Sequence, residues 1–213
     1  MLLSYCVTGT ARSCVRKIKL ARALSARNGV CPGDLFLFWG LFRNFDEEKT
    51  WVGERRHVIW GWLQIGDVVP VDEKLRSALG QDTWRWAADH PHAQFETDPT
   101  NTLYVAAEEL RLPDGLGQGL PGAGAFDFDA PDRHLTAAHA ETPLTWSLPL
   151  WFLPGQRRAL TYHANPIRWR TQGERVLLRA ASRGQEFVLD AGTVLDQQRT
   201  DLERLERSHG EPR

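Results

Sequence analysis

The stretch GDLFLFWGLFR at residues 33–43 and the stretch HVIWGWLQIGD at residues 57–67 determine the fold of this 213-residue chain. Both are bulky, nearly uncharged runs with aromatics beside a glycine, and turn residues bound both of them. Such runs are typical of buried strands. The two stretches therefore predict a pair of strands that supply much of the core and whose ends are placed to carry function.

Composition limits the class of protein. Hydrophobic residues make up 42% of the chain and charged residues 25%, which is typical of a globular protein with one sizeable core. The formal net charge of -1 gives no global basic field for duplex DNA, so any contact with nucleic acid has to be local. The 3 cysteines form no Cys-x-x-Cys pair and have no histidine at zinc spacing, which favours a reducing cytoplasm.

The pattern along the chain predicts an α+β fold in a single domain. Glycine and proline mark residues 113–124 as a surface loop and a candidate flap, and Asp72 is placed to cap a helix. The apolar run at residues 144–154 is too short for a membrane span, which needs about 20 residues. The expected elements are helices at 21–27, 72–79 and 200–207, strands at 33–43, 57–67, 102–106, 175–180 and 186–190, and a polar loop at 44–54.

Several common motifs are absent from the sequence. It contains no Walker lysine motif, no GxGxxG after a strand, no HExxH and no GxSxG. The phosphate-loop, dinucleotide, zinc-protease and hydrolase classes therefore lack support.

The tripeptide His90-Pro91-His92 is the sharpest candidate for chemistry. Proline stiffens the backbone between two imidazoles, which can share a proton, contact a planar ligand or coordinate a metal. The alternative is a rigid turn whose rings cap nearby backbone groups. A metal site needs a third ligand, for which the candidates are Asp89, His57 and His163. The catalytic candidates are accordingly His90 and His92, with His163 or Glu186 assisting.

Aromatic and polar residues on or beside the predicted strands are the candidates for ligand binding. Indole faces stack on bases, amides read donor and acceptor edges, and arginine pairs with phosphate. Trp60 and Trp62 share a strand face by alternation, so both point into the core or both line a pocket. Core packing of the tryptophans and a rim salt bridge of Arg43 are the structural alternatives. The candidates are Trp39, Arg43, His57, Trp60, Trp62, Gln64, Asn101, Tyr104 and Gln185.

One cluster of basic and aromatic residues lies in the second half of the chain. Its composition fits contact with a nucleic-acid backbone, and a solvated strand edge fits it equally well. The cluster comprises Arg157, Arg158, Arg168 and Arg170, interleaved with Tyr162, His163 and Trp169.

Several blocks resemble one family in order and spacing. They lie at residues 33–43, 57–66, 90–92, 101–106, 160–163 and 184–190, and the similarity covers residues 24–190. These blocks are similar to the nucleotide modification associated domain 3 family. The resemblance implies a bacterial or phage protein encoded in settings linked to modified DNA bases, and no established reaction. Residues 1–20 depart from the family pattern, so this start is expected to be truncated or altered. The domain is expected over residues 21–207, followed by a tail at 208–213.

A second, weaker similarity is to PUA-like domains that read modified bases. In those domains a Gly-Asp turn starts a hydrophobic strand, and a partner strand contains a hydrophobic-Gly pattern, as Gly33-Asp34 and Ile59-Trp60-Gly61 do here. This similarity implies a mixed, mainly antiparallel, PUA-like curved sheet or partial barrel flanked by short helices. Fold analogy does not establish function.

Two hypotheses about function follow from these features. The first is a binding module that accepts a nucleotide or flipped modified base in an aromatic and histidine-lined pocket. The second is an enzyme that acts on a nucleotide or modified DNA base through a His-Pro-His centred site. A structural partner of DNA-modification proteins is a third possibility. No cofactor is identified, and no membrane partner is expected.

Overall fold

The computed structural model describes residues 30–78, 81, 85–88, 102–112, 117–127, 129–154, 160–181 and 187–189. These described residues are mostly β-sheet with few helices, and their sheets are open. All strand pairs between the described residues are antiparallel, which agrees with the mainly antiparallel sheet that the sequence predicts. The chain divides into two compact units between His134 and Leu135.

One long strand organises the sheet of the first unit. The four strands of this sheet are β1 (Leu35–Phe45), β2 (Trp51–Pro70), β3 (Thr102–Ala106) and β4 (Ala123–Ala125). The 20-residue β2 pairs with β1 along its first part, with β4 over residues 61–63, and with β3 from Ile65 onward. Each of the other three strands therefore depends on β2 for its position.

Both decisive stretches form the strands that the sequence predicts, and β3 has the predicted bounds. The β1–β2 hairpin is longer than expected because pairing continues to Phe45 opposite Trp51. The connection is a tight turn in which the Asp46 carboxylate accepts a hydrogen bond from the Thr50 amide at 2.7 Å. The predicted polar loop at residues 44–54 is therefore too long.

Two clusters of buried side chains form the core of the first unit. One cluster lies on the β1–β2–β3 sheet and contains Phe38, Leu63, Ile65 and Tyr104. The other packs the short helices α1 (Glu73–Ala78) and α2 (Arg85–Ala88) near β3 and contains Val71, Leu75, Ala87 and Leu103. As predicted, Asp72 caps α1, since its carboxylate accepts a hydrogen bond from the Leu75 amide at 2.8 Å.

Register shifts bend β2 at defined positions. Phe38 pairs with Gly61 and Trp39 with Ile59, so Trp60 is an extra residue in β2. A second shift lies at Gly66, where a Cβ atom would be only 2.7 Å from the Ala107 Cα. Only glycine permits this close approach of two backbones.

The Gln64 side chain connects three segments of the first unit. Its Nε2 donates hydrogen bonds to the carbonyls of Gly33 at 3.0 Å and Arg111 at 2.8 Å. Its Oε1 accepts a hydrogen bond from the Arg111 amide at 2.7 Å. The buried amide therefore joins the turn before β1 and the segment after β3 to the middle of β2.

Residues 117–124 are the described part of the predicted loop at residues 113–124. Ala123–Ala125 forms β4 beside β2, and Pro121 forms an isolated bridge with Glu109. Gly122 lies so close to Ala107 that a Cβ atom would be 2.0 Å from the Ala107 carbonyl oxygen. Residues 121–124 therefore pack against neighbouring backbone, where glycine permits the close approach, and do not form a free surface loop.

The second unit contains a three-stranded antiparallel sheet in the order β5-β7-β6, formed by β5 (Thr145–Pro149), β6 (Trp169–Gln172) and β7 (Arg175–Arg179). One face is buried through Trp146, Leu148, Trp169, Val176 and Leu178. The predicted strand at 175–180 is confirmed as β7. The prediction of a strand at 186–190 is wrong for Phe187, Val188 and Leu189, which form no strand.

Val188 is instead held by Thr161, whose amide donates to the Val188 carbonyl at 3.1 Å. The predicted helices at 21–27 and 200–207 lie outside the described residues. Within the described residues, none of the helices has the length and apolar character that a membrane span needs.

We expect Gln64→Met to lower the free energy of unfolding by about 2–4 kcal/mol. Methionine has a similar volume but makes none of the three hydrogen bonds to Gly33 and Arg111, and each such bond contributes about 0.5–1.5 kcal/mol. Urea unfolding followed by tryptophan fluorescence measures this loss. The control is Gln172→Met on the exposed part of β6, which should change stability by less than about 0.5 kcal/mol. Equal stability of both variants would contradict the role of Gln64.

Candidate functional site

The two faces of the β1–β2 sheet have different environments. Phe36, Phe38 and Leu63 face the core, so alternation places Leu37 and Trp39 on the opposite face. Trp62 pairs with Leu37 and therefore lies on that face as well. We call this surface the tryptophan face and define it by Leu37, Trp39, His57, Trp62 and Phe126.

Trp39 and His57 form one half of the tryptophan face. Their rings meet edge to face with centroids 4.7 Å apart and an interplanar angle of 76°. Trp39 is half-buried, whereas His57 is only 2% exposed. The imidazole is therefore buried and packs against the partly exposed indole.

Trp62 and Phe126 form the other half of the tryptophan face. The Trp62 indole covers Gly124, where a Cβ atom would be 2.5 Å from the indole ring, and its Nε1 donates to the Pro121 carbonyl at 3.1 Å. Phe126 packs against Trp62 with ring centroids 5.1 Å apart. The Arg133 guanidinium lies 4.3 Å above the Phe126 ring, in cation–π contact. This side of the face thus has rigid aromatic surface beside a nearly buried cation.

Trp60 and Tyr104 pack differently from the candidates on the tryptophan face. Trp60 stacks on Phe38 with centroids 5.4 Å apart, and Tyr104 packs edge-on against Phe36 at 5.2 Å. Both belong to the core side of the sheet. Simple alternation does not hold between Trp60 and Trp62, because the register shift makes Trp60 the extra residue.

Gln64 and Arg43 make backbone contacts. The Gln64 amide is 6% exposed and already donates to and accepts from backbone groups, so its edge is occupied. Arg43 is exposed, and its Nε donates to the Gly53 carbonyl at 2.9 Å within the irregular part of the hairpin. Its Nη groups are not used in that bond, so the phosphate contact predicted for Arg43 stays a prediction.

His163 is fully buried in the second unit, with 0% exposure. Its Nδ1 donates to the Thr161 carbonyl at 2.7 Å, because a carbonyl can only accept, and its Nε2 accepts from the Ala181 amide at 2.9 Å. Burial lowers the pKa of His163, the hydrogen bond to Thr161 opposes this shift, and the Arg168 charge adds to it. A neutral imidazole with both nitrogens engaged is an arrangement typical of a structural histidine.

The remaining candidates lie outside the described residues, and they are His90, His92, Asn101, Gln185 and Glu186. Their predicted roles stay predictions, as does the catalytic role of His163. Among the side chains that the structure describes, no group of three or more His, Cys, Asp or Glu is arranged to hold a metal ion.

Sequence reasoning missed Phe126, Arg133 and His134. The His134 Nε2 lies 2.7 Å from an Asp129 carboxylate oxygen, and His134 forms a bridge with Val58 of β2. The available signal was the alternation of phenylalanine and aspartate at residues 126–129. That signal was weak because the β2 partners of Phe126 and His134, namely Trp62 and Val58, lie 64 and 76 positions earlier in the chain.

Comparison with known proteins identifies one family. A family model described as nucleotide modification associated domain 3 matches residues 20–190. No curated protein and no solved structure matches the sequence. The match includes both units, since it extends across the division at His134.

We expect acid to destabilise the second unit through His163. Burial lowers the folded-state pKa below the 6.5 of the unfolded chain, so the unfolded chain takes up the proton first as the pH falls. The stability contributed by neutral His163 is therefore complete above pH 6.5 and is lost as the pH falls toward the folded-state pKa. One proton limits the slope to about 1.4 kcal/mol per pH unit.

Urea unfolding at about pH 7.5 and about pH 5.5 measures this dependence. His163→Gln cannot titrate, so it should lose less stability than the wild type between the two pH values. The control is His139→Asn at an exposed turn, which should retain the wild-type dependence. The same pH dependence in His163→Gln and the wild type would contradict this role.

Proposed function

The chain belongs to the nucleotide modification associated domain 3 family, and from that premise we propose that it binds a nucleotide or modified base on the tryptophan face. The family links the chain to nucleotide modification. The pocket, its ligand and the residues that contact the ligand belong to this proposal.

The observation that carries the proposal is the rigid, partly exposed aromatic surface formed by Trp62 and Phe126. Phe126 is 42% exposed and Leu37 is 51% exposed, so apolar surface is accessible on both sides of Trp62. A nucleobase that stacks on such a surface gains about 1–3 kcal/mol. The hydrogen bond from Trp62 to Pro121 and the close packing on Gly124 fix the indole before any ligand arrives.

Polar and charged side chains near the tryptophan face are candidates for contact with the parts of a nucleotide other than the stacked base. His57 is buried against Trp39, so in this proposal it supports the stacking surface from beneath. Arg43 lies farther along β1, at the register shift between Phe42 and Asn44, and its exposed guanidinium can pair with a phosphate. Gln64 is not part of the proposed contact set, because backbone groups occupy its amide.

We also infer that the first unit is a PUA-like curved sheet. Support comes from the Gly-Asp turn before β1, from the hydrophobic-Gly pattern within β2, and from the register shifts at Trp60 and Gly66. Bulges increase strand twist and bend a sheet, which is how a curved surface for a ligand forms.

Binding assays with matched oligonucleotides test the proposed function. Short single-stranded DNA containing cytosine, 5-hydroxymethylcytosine, adenine or N6-methyladenine at one position would be titrated into the protein, with tryptophan fluorescence and calorimetry as readouts. We expect tighter binding of at least one modified strand than of its unmodified match. Equal, weak binding of every strand would rule out recognition of these modified bases.

The enzyme hypothesis is tested by measuring whether the protein converts the same oligonucleotides or free nucleotides to product. Nucleotide turnover that is lost on combining His90→Ala with His92→Ala would show that the protein is an enzyme and overturn a purely binding role. Binding without turnover supports the proposal.

We expect Trp62→Leu and Trp39→Leu each to weaken binding of the preferred strand about 5-fold or more, because each removes a stacking surface. Trp51→Leu is the matched control, since Trp51 is 59% exposed in the β1–β2 hairpin, where it packs on Phe45. The control should bind like the wild type. Thermal unfolding of each variant separates lost binding from lost folding, and equal affinity in all three variants would contradict the placement of the site.

A further inference from the structure

The outer face of the sheet in the second unit carries three exposed arginines. Val176 and Leu178 are fully buried, so alternation directs Arg175 and Arg179 to the opposite face of β7. Arg170 of β6 pairs with Leu177, which lies between them on that outer face. We call this surface, defined by Arg170, Arg175 and Arg179, the arginine face.

The spacing of the arginine face is set by the sheet. Arg175 and Arg179 are four residues apart on one strand, which is a separation of about 13 Å between their Cα atoms. Arg170 lies on the neighbouring strand at a level midway between them, since its partner is Leu177. The three cations therefore form a triangle with sides comparable to the spacing of a few successive phosphates along a nucleic-acid strand.

Arg175 is already oriented across the sheet. Its Nε donates to the Ser147 hydroxyl at 2.7 Å, and its Nη2 donates to the Ser147 carbonyl at 2.7 Å. One side of the guanidinium is thus fixed while the side chain stays exposed. A planar guanidinium held in this way can still present N–H groups to a phosphate oxygen.

The arginine face has an unbalanced charge. Its other members are uncharged, namely Thr145, Ser147, Pro149, Gln172 and Leu177. Within the described part of the chain, the Arg170 and Arg179 side chains form no ion pair, and the nearby acidic residue Glu174 lies in the turn between β6 and β7. Arg168 adds a fourth guanidinium at the edge, where its Nη1 donates to the Arg179 carbonyl at 3.0 Å. The whole chain has a net charge of -1, so this concentration of cations is a local feature and does not reflect the overall charge.

We propose that the arginine face binds the phosphodiester backbone of a DNA strand. The base that the protein recognises is then part of a polymer and not a free nucleotide. This inference deepens the proposed function and rests on it for the identity of the polymer as DNA. Exposed guanidinium groups gain affinity for phosphates by releasing condensed counterions. Serine, threonine and glutamine on the same face add neutral donors of the kind that bind phosphate oxygens.

The experiment compares affinities for a labelled 20-nucleotide thymidylate strand, a duplex of the same length and free thymidine monophosphate. The test variant combines Arg170→Gln with Arg179→Gln, because no described hydrogen bond uses these two side chains. The matched control combines Arg55→Gln with Arg111→Gln, which removes the same charge from exposed positions of the first unit. Binding is measured by fluorescence anisotropy across salt concentrations, and folding by thermal unfolding.

We expect the wild type to bind the strand more tightly than the monophosphate. The test variant should bind the strand at least 5-fold more weakly at low salt, and the slope of log affinity against log salt should fall by about 1.4, or about 0.7 for each lost phosphate contact. The control should keep the wild-type slope. Comparison of the strand with the duplex identifies which form of DNA the face accepts.

Two results separate this inference from the proposed function. Unchanged strand affinity and slope in the test variant, with base binding intact, would overturn the arginine face and leave the proposed function standing. Loss of strand affinity in the test variant without any base preference in the wild type would support the arginine face and count against the proposed function. An equal loss in the control variant would overturn the arginine face, because net charge alone would then explain binding.

Discussion

The side-chain amide of Gln64 is the interaction on which the first unit depends. It lies in the middle of β2 and joins the turn before β1 to the segment after β3 through bonds to Gly33 and Arg111. The Gln64 backbone adds bonds to Gly122 and Ala107, so four segments converge on one residue. A buried amide is tolerated only when its donors and acceptor are paired. The arrangement of β1, β3 and β4 around β2 depends on this connection.

The register shift at Trp60 places the aromatic residues of β2 on different faces of the sheet. The extra residue at Trp60 turns its indole onto Phe38, within the core, while Trp62 remains on the other face beside Phe126. A regular strand would have given both indoles one environment. The bulge therefore allows a single strand to supply both a core and a candidate ligand surface.

The second unit separates its roles by the two faces of one sheet. Its inner face is apolar and lies near His163, whose neutral imidazole satisfies Thr161 and Ala181. Its outer face carries the arginines. The contrast follows from the period of two along β7, where Val176 and Leu178 alternate with charged and polar neighbours. In this unit stability and proposed recognition depend on different faces.

The sequence by itself determined the local elements: the β1–β2 pair, the bounds of β3, the Asp72 cap and β7, because periodicity, turn residues and caps act over a few positions. It also carried the family resemblance, which the family model confirms. Only the tertiary structure decided that Gln64 bonds to backbone, that both nitrogens of His163 are engaged, and that Arg170 shares a face with Arg175. Those outcomes depend on strand register and on hydrogen-bond partners far away in the chain, which no local pattern specifies.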